Sequence, residues 1–357
     1  MCKISTVYPN RSSLLFVIFL VASLTINAQN SVRTVIAEKG DGIFSILRKQ
    51  GMDPIKHYGH FVALNKDNLR DSIQLYEGRK YILPPFVEES VEVLDTIQKK
   101  STERKIVAKE AEHSIFGRKY AAVPNMSKAL DGAVYYLISG HGGPDPGAIE
   151  NYEGKIIAED EYAYDITLRL ARELMSQGAK VYIIIRDPND GIRDERILEI
   201  DRDEVTYPAL EIPLNQLARL KQRTDAVNAL YAENRGKYQR LIVTHVDSRS
   251  SGQNIDVFFY HHEHSKNGKR FAENIHTTFQ NKYQKYQPHR EYSGTFEDRT
   301  NLYVIKNTHP AMVYIEIGNI KNTKDQRRIL DPDNRQALAK WISEGVLLDY
   351  QTRNKVP

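Results

Sequence analysis

The chain nearly lacks cysteine. Its single thiol, Cys2, stands ahead of an apolar run from Leu14 to Ile26, in a leading segment that also carries Lys3 and Arg11. Small residues, Asn27-Ala28, follow the run. Basic start, apolar centre and small-residue exit are the layout of a secretory signal peptide over residues 1–28, cleaved near Ala28. Cys2 leaves with that peptide, and it sits on the wrong side of the run for lipid attachment. The mature chain then has no disulfide and no thiolate, so any metal must be held by histidine and carboxylate. Long apolar stretches are equally scarce. The Leu14–Ile26 run is too short to span a bilayer comfortably, so no stable membrane anchor is expected after cleavage. A strong charge excess is missing too: removing the first 28 residues, which hold Lys3, Arg11 and no acid, lowers the net charge from +4 to +2. That balance suits an anionic polymer and is far too weak to point to nucleic acid. The expected destination is outside the cytoplasm, in the periplasm or cell envelope.

What the chain does hold is organised around Val134–Leu170. The apolar run Val134–Ile138 stops at Ser-Gly-His-Gly-Gly, which ends a strand and bends the backbone. A Pro/Gly-rich loop leads to the acidic Glu159-Asp160-Glu161, and apolar spacing then turns helical through Ile166, Leu170 and Leu174. Apolar runs recur at Val181–Ile185, Leu241–Thr244, Ile255–Tyr260 and Met312–Ile317, with helical patterns between them at Tyr162–Gln177, Leu214–Glu233, Gly268–Tyr283 and Arg335–Leu347. This alternation predicts an α/β domain over 132–350, a mainly parallel twisted sheet with helices on both faces. Asp187–Pro213 is charged and long for a strand-to-helix connection, and reads as a lid, a docking surface for a protein regulator, or a solvated excursion.

Ahead of this domain, residues 33–85 read β-α-α-β, with strands at Thr34-Val35-Ile36 and Tyr81-Ile82-Leu83. Residues 86–131 mix charges without a core-forming period, from Glu88 and Glu89 to Lys99 and Lys100, and read as a linker, with an ordered strap on the next domain as the alternative.

Four residues carry the chemistry. His141 follows one strand and His245 another, Glu159 precedes a helix, and Glu316 lies within the strand Met312–Ile317. Parallel strands would bring them to the carboxyl edge of the sheet, where ligands bind in open α/β folds. Two imidazoles and one carboxylate suit Zn²⁺ with a water in the fourth position, and a further carboxylate can take a proton from that water. Spacing alone leaves a structural role open for each histidine. The adjacent His261-His262-Glu263-His264 reads as a solvated strand end, because neighbours on an extended chain point to opposite faces.

The blocks LISGHGGPDPGAI, EDEYAYDITLRLARELMSQGAKVYIIIRD, LARLKQRTDAVNAL, LIVTHVDS, NIDVFFY and LYVIKNTHPAMVYIEIGNIKN run in order through the domain. Together they resemble the zinc-dependent N-acetylmuramoyl-L-alanine amidases (the Amidase_3 type). The resemblance implies zinc held by His141, Glu159 and His245, with Glu161 as the nearby competitor for the second place. It makes Glu316 the catalytic carboxylate, and peptidoglycan, glycan strand and stem peptide together, the substrate. Arg223 and Asn228 fall on recurrent family positions and read as structural helix–sheet contacts. Ile138-Ser139 stands where the family has Asp-Pro, which removes one acceptor for a ligand histidine. The leading unit, with TVIAEKGDGIFSILRKQGM, ALNKDN and YEGRKYILPP, resembles a LysM module, a binder of N-acetylglucosamine-containing glycan, with Gly42 in place of the usual Thr or Ser. The rival reading is a wall-binding protein with an impaired site that positions or activates other wall enzymes.

Overall fold

The computed structural model describes residues 33–39, 41–52, 54–69, 75–85, 113–248 and 254–354. The expected signal peptide, 1–28, and residues 86–112 of the expected linker lie outside the described residues.

The leading unit is built as the residues dictate. Strand β1 (Thr34–Ile36) pairs antiparallel with β2 (Lys80–Ile82), and helices α1 (Ile43–Lys49) and α2 (Pro54–Leu64) lie between them in sequence. Ile43, Ile46 and Leu47 fall at helical spacing and bury against Phe61, Tyr81 and Leu83. Asn65 ties the last helical turn to the sheet: its Nδ2 donates to the carbonyls of Phe61 and Ile82, and its Oδ1 accepts from the Ile82 amide.

The larger unit begins with β3 (Ala133–Ser139), the hairpin β4 (Ile149–Tyr152) and β5 (Lys155–Ala158), and helix α3 (Glu159–Ser176). Strand β6 (Lys180–Ile183) is followed by three two-residue strands, β7 (Ile185–Arg186), β8 (Val205–Thr206) and β9 (Leu210–Glu211), and then by α4 (Gln216–Glu233). Next come β10 (Tyr238–Asp247), β11 (Phe258–His261), α5 (Lys266–Tyr286), β12 (Thr295–Asp298) and α6 (Tyr303–Asn307). Strand β13 (Met312–Asn319) and helices α7 (Thr323–Leu330) and α8 (Pro332–Thr352) complete it.

The central sheet has the order β12-β11-β13-β10-β3-β6. Every neighbouring pair in it is parallel except β11 with β13, which run antiparallel. Period-two alternation divides the core between the faces: Tyr135 and Leu137 join α3, α5 and α8, whereas Val134, Tyr136 and Ile138 join α4 and α6. The mainly parallel α/β architecture with helices on both faces is therefore as the apolar alternation predicts.

Two expectations need correction. Residues 113–131 are not a solvated linker. Phe116 and Leu130 are fully buried in the domain core, the Tyr120 hydroxyl donates to Asp194, and Arg172 donates to the carbonyls of Tyr120 and Ala122. Their apolar residues follow no helical or strand period, so the pattern hides them. Asp187–Pro213 is not a free excursion either. Fully buried Arg335 donates from Nε to Asp165 and from Nη2 to the carbonyls of Arg193 and Glu195, and the Arg193 amide donates to Asp165. These bonds strap the insertion to α3 and α8.

Candidate metal centre

The register of the sheet brings the site together. β3 and β10 lie side by side and parallel, so His141, just beyond Ser139, emerges near His245 at the end of the neighbouring strand. The turn that carries His141 is tight: the Gly140 amide donates to Thr244 O, and His141 itself sits at φ +59°, a conformation few L side chains adopt. Glycine is required at two points. A Cβ at Gly140 would stand 2.3 Å from the His245 ring, and one at Gly147 would stand 2.7 Å from both Glu159 Oε2 and the His141 ring.

Glu159 is the first residue of α3 and lies between the two imidazoles. Its Oε2 is 3.3 Å from His141 Nε2, and its Oε1 is 2.8 Å from His245 Nδ1. The carboxylate is aimed by backbone: the Ala148 amide donates to Oε2 and the Val246 amide to Oε1. His141, Glu159 and His245 each bring one donor atom to within 4.8 Å of the other two. The other ring nitrogen of His141, Nδ1, is 3.1 Å from Asp145 Oδ2, and Asp145 is held in turn by Arg219 Nη2 at 2.6 Å. This contact holds a proton on Nδ1, so that Nε2, which faces Glu159, is the nitrogen that would give up its proton to a metal. The His245 ring stacks on Tyr314, with centroids 4.6 Å apart and planes 12° from parallel.

Electrostatics follow from these contacts. Burial opposes charge on His141, but the carboxylates of Glu159 and Asp145 outweigh it and hold the imidazole well above its ordinary range. Burial would raise Glu159 and Asp145, and His141 overrides it, keeping both well below the usual carboxylate range. His245 is lowered, mainly by burial. A cluster of two nitrogens and one carboxylate with a carboxylate behind a ring nitrogen is the donor set of a zinc site, and the residues fit that ion.

Glu316 is the Cα partner of His245 across the parallel β10–β13 pair. It shares its strand face with Tyr314, two residues earlier, which contacts the His245 ring. The half-buried Glu316 therefore stands on the face that carries the cluster. Glu161, the competitor for the ligand place, turns elsewhere: its Oε2 pairs with Arg193 at 2.8 Å and its Oε1 accepts from the Asp201 amide.

Sequence reasoning missed Asp145. The family's Asp-Pro before the glycine-histidine turn is absent, yet an acceptor for His141 comes from the Pro-Asp-Pro-Gly loop beyond it. The single available signal was an acid four residues from the histidine in a loop tight enough to return. Arg223, read as a helix–sheet contact, donates from Nη2 to His141 O and so supports the turn that carries His141. Asn228 bridges Asn307 O and the His309 amide, away from the cluster. In the His261–His264 stretch, His261 is buried at the end of β11 and the His264 side chain is exposed.

A cleft of about 480 Å³ opens over the cluster. His141, Asp145, Glu159 and Arg219 line one side of it, and Asp41, Ser45 and Tyr58 of the leading unit line the other. Asn215 Nδ2 also donates to Lys39 O. No helix among the described residues is long and apolar enough to cross a membrane.

Comparison with known proteins gives this geometry a context. Over 226 residues the chain is 25% identical to a probable cell wall amidase, LytH, of Staphylococcus aureus, covering 62% of this chain and 60% of that protein. Among solved structures, the CwlD amidase of Clostridioides difficile in complex with the GerS lipoprotein is similar over 61% of this chain and 98% of that one, at 18% identity and a TM-score of 0.46. The amidase AmiC2 of Nostoc punctiforme is similar over 62% and 98%, at 17% identity and a TM-score of 0.43. The family model described as N-acetylmuramoyl-L-alanine amidase matches residues 136–347, more than half of the sequence, and the chain belongs to that family.

Proposed function

We propose that the protein is a zinc-dependent N-acetylmuramoyl-L-alanine amidase, which hydrolyses the amide between the lactyl group of N-acetylmuramic acid and the L-alanine of the stem peptide. The observation that carries this reading is the seating of one carboxylate, Glu159, between His141 Nε2 and His245 Nδ1. His141, Glu159 and His245 are the proposed ligands. Zinc bound there supplies Lewis acidity toward a carbonyl and lowers the pKa of a water to about 7.

The chain's own groups do the rest. Asp145 keeps the proton on His141 Nδ1, and Tyr314 fixes the plane of His245. The carboxylate of Glu316 accepts a proton from the attacking water and returns one to the leaving amine. The LysM-like module, residues 33–85, holds the glycan; its Asp41, Ser45 and Tyr58 line the same cleft as the cluster, which supports one continuous polymer path. The signal-peptide layout of residues 1–28 supports export to the periplasm or envelope. A regulator would reach the site through the insertion at 187–213, whose Glu204 accepts from the Gly143 amide two residues after His141.

The test is zinc content combined with mass spectrometry of products from purified sacculi. An amidase leaves a free lactyl carboxylate on muramic acid and releases an intact stem peptide. Cleavage within the stem would make the protein a peptidase. Zinc-loaded protein that releases nothing would favour a wall-binding protein with an impaired site.

A further inference from the structure

Beside Glu159, in the first turn of α3, the molecule buries a second group of acids. Asp160, Glu161 and Glu204 are 1%, 2% and 5% exposed, and each brings a carboxylate oxygen to within 4.8 Å of the other two. Glu204 belongs at the same spacing to a second triad with Asp187 and Asp201. Arg193 answers part of this charge by pairing with Glu161. Asp160 has Oδ1 satisfied by the Glu161 amide, but its Oδ2 is buried with no hydrogen-bond partner. Asp201 Oδ1 is buried and unpartnered as well. A buried carboxylate oxygen with no donor is costly unless a cation faces it.

We propose that Asp160, Glu161 and Glu204 hold a hard divalent cation of the Ca²⁺ class, with Asp187 and Asp201 as outer carboxylates. The donor atoms are all oxygens, with no nitrogen or sulfur to favour zinc. Ligand atoms up to 4.8 Å apart match about twice the Ca²⁺–oxygen distance of about 2.4 Å. Mg²⁺ is smaller and keeps its waters, which suits so dry a site poorly. The cation would join two segments, the first turn of α3 and the insertion at 187–213, which also supplies Glu204. Asp160 and Glu161 belong to the first turn of α3, which Glu159 opens, Glu204 reaches the Gly143 amide beside His141, and Asp187 and Asp201 belong to the insertion. It would thus fasten the insertion to the frame of the zinc cluster without touching substrate. The proposal does not depend on the amidase reading.

The experiment uses the full mature chain, freed of metal with EDTA, dialysed, and titrated with Ca²⁺ in a thermal melt and with Tb³⁺ in tyrosine-sensitised luminescence. Tyr164, whose hydroxyl accepts from the Asp187 amide, is a nearby donor of excitation. The expected result is a rise in Tm with Ca²⁺ and one Tb³⁺ per chain displaced by Ca²⁺. Asp160→Asn and Glu204→Gln should each weaken Tb³⁺ binding by at least about tenfold, the loss of roughly one charged ligand. The double variant His141→Ala, His245→Ala should keep both responses, which separates this site from the zinc cluster. No Tm rise and no stoichiometric Tb³⁺ in the wild-type chain would overturn the proposal. So would wild-type affinity in Asp160→Asn and Glu204→Gln, or loss of both responses in the double histidine variant.

Discussion

Glu159 and Glu161 lie two residues apart in the first turn of the same helix, both buried, and their carboxyls are driven in opposite directions. Glu159 is held well below the ordinary carboxylate range despite burial, because two imidazoles and two backbone amides face it. Glu161 is pushed up to about 7 by burial, even with Arg193 beside it. Around Glu161 the neighbours are mostly other acids, and burial with that crowding also lifts Glu204, to about 8. Depth in the protein is therefore shared and partners decide. One region offers nitrogen donors and a prepared carboxylate, as a zinc site does. The other offers oxygen alone.

The strongest way to break this contrast is to remove the proposed proton carrier, Glu316, on the nitrogen-lined side. Glu316→Gln should lower turnover on sacculi by about 10²- to 10⁴-fold while zinc content stays unchanged. Release of stem peptide at the wild-type rate would mean the base is elsewhere. Next in size is the strap that holds the insertion and its acids in place. Arg335→Met leaves part of the buried Asp165 charge unanswered and should destabilise the domain by about 3–5 kcal/mol in denaturant unfolding. An unchanged midpoint would show that Arg169 alone satisfies Asp165.

Asp145→Asn sharpens the picture of the prepared ligand. It removes the carboxylate behind His141, and zinc affinity or activity should fall by about 10–100-fold. Equal zinc affinity and rate in the variant would reduce Asp145 to a loop anchor. The smallest effect concerns pH and the oxygen-lined side. Between its ordinary 4.5 and about 8, Glu204 holds a proton in the folded chain that the unfolded chain has released. Without divalent cations the folded state therefore binds more protons over that window, so stability should fall as pH rises through it. Asp160, Glu161, Asp187 and Asp201 face Glu204 and contribute to the slope, whereas Arg193 on Glu161 stays charged throughout the window. Melting across the same window should show a shallower fall in Glu204→Gln, and identical profiles would mean that Glu204 is already ionised.

Much of the architecture was open to reading because burial imposes periods. Val134–Ile138, Leu241–Thr244 and Met312–Ile317 are runs that only a strand buried on both faces needs, and they became β3, β10 and β13, neighbours in the sheet. Once those strands are parallel and in register, the turn of chain beyond β3 lies beside the carboxyl end of β10. That is why His141 and His245 converge. The run Ile255–Tyr260 became β11, but an apolar run has no direction, so its antiparallel pairing with β13 could not be read. Phe116 and Leu130 escaped because isolated apolar residues in a charged stretch leave no period.

The sequence by itself determined the α/β alternation, the histidines at strand ends and the acids at a helix start, since each follows from local spacing and the demand to bury apolar side chains. Only the tertiary structure decided which acid faces the histidines. Residues two apart on a helix point to nearly opposite sides, about 200° around its axis. The docking of α3 on the sheet therefore turns Glu159 toward the imidazoles and Glu161 toward Arg193. The same is true of Asp145, which reaches His141 only through the folding of its loop, and of Glu204, which lies 43 residues from Glu161 in sequence and beside it in space.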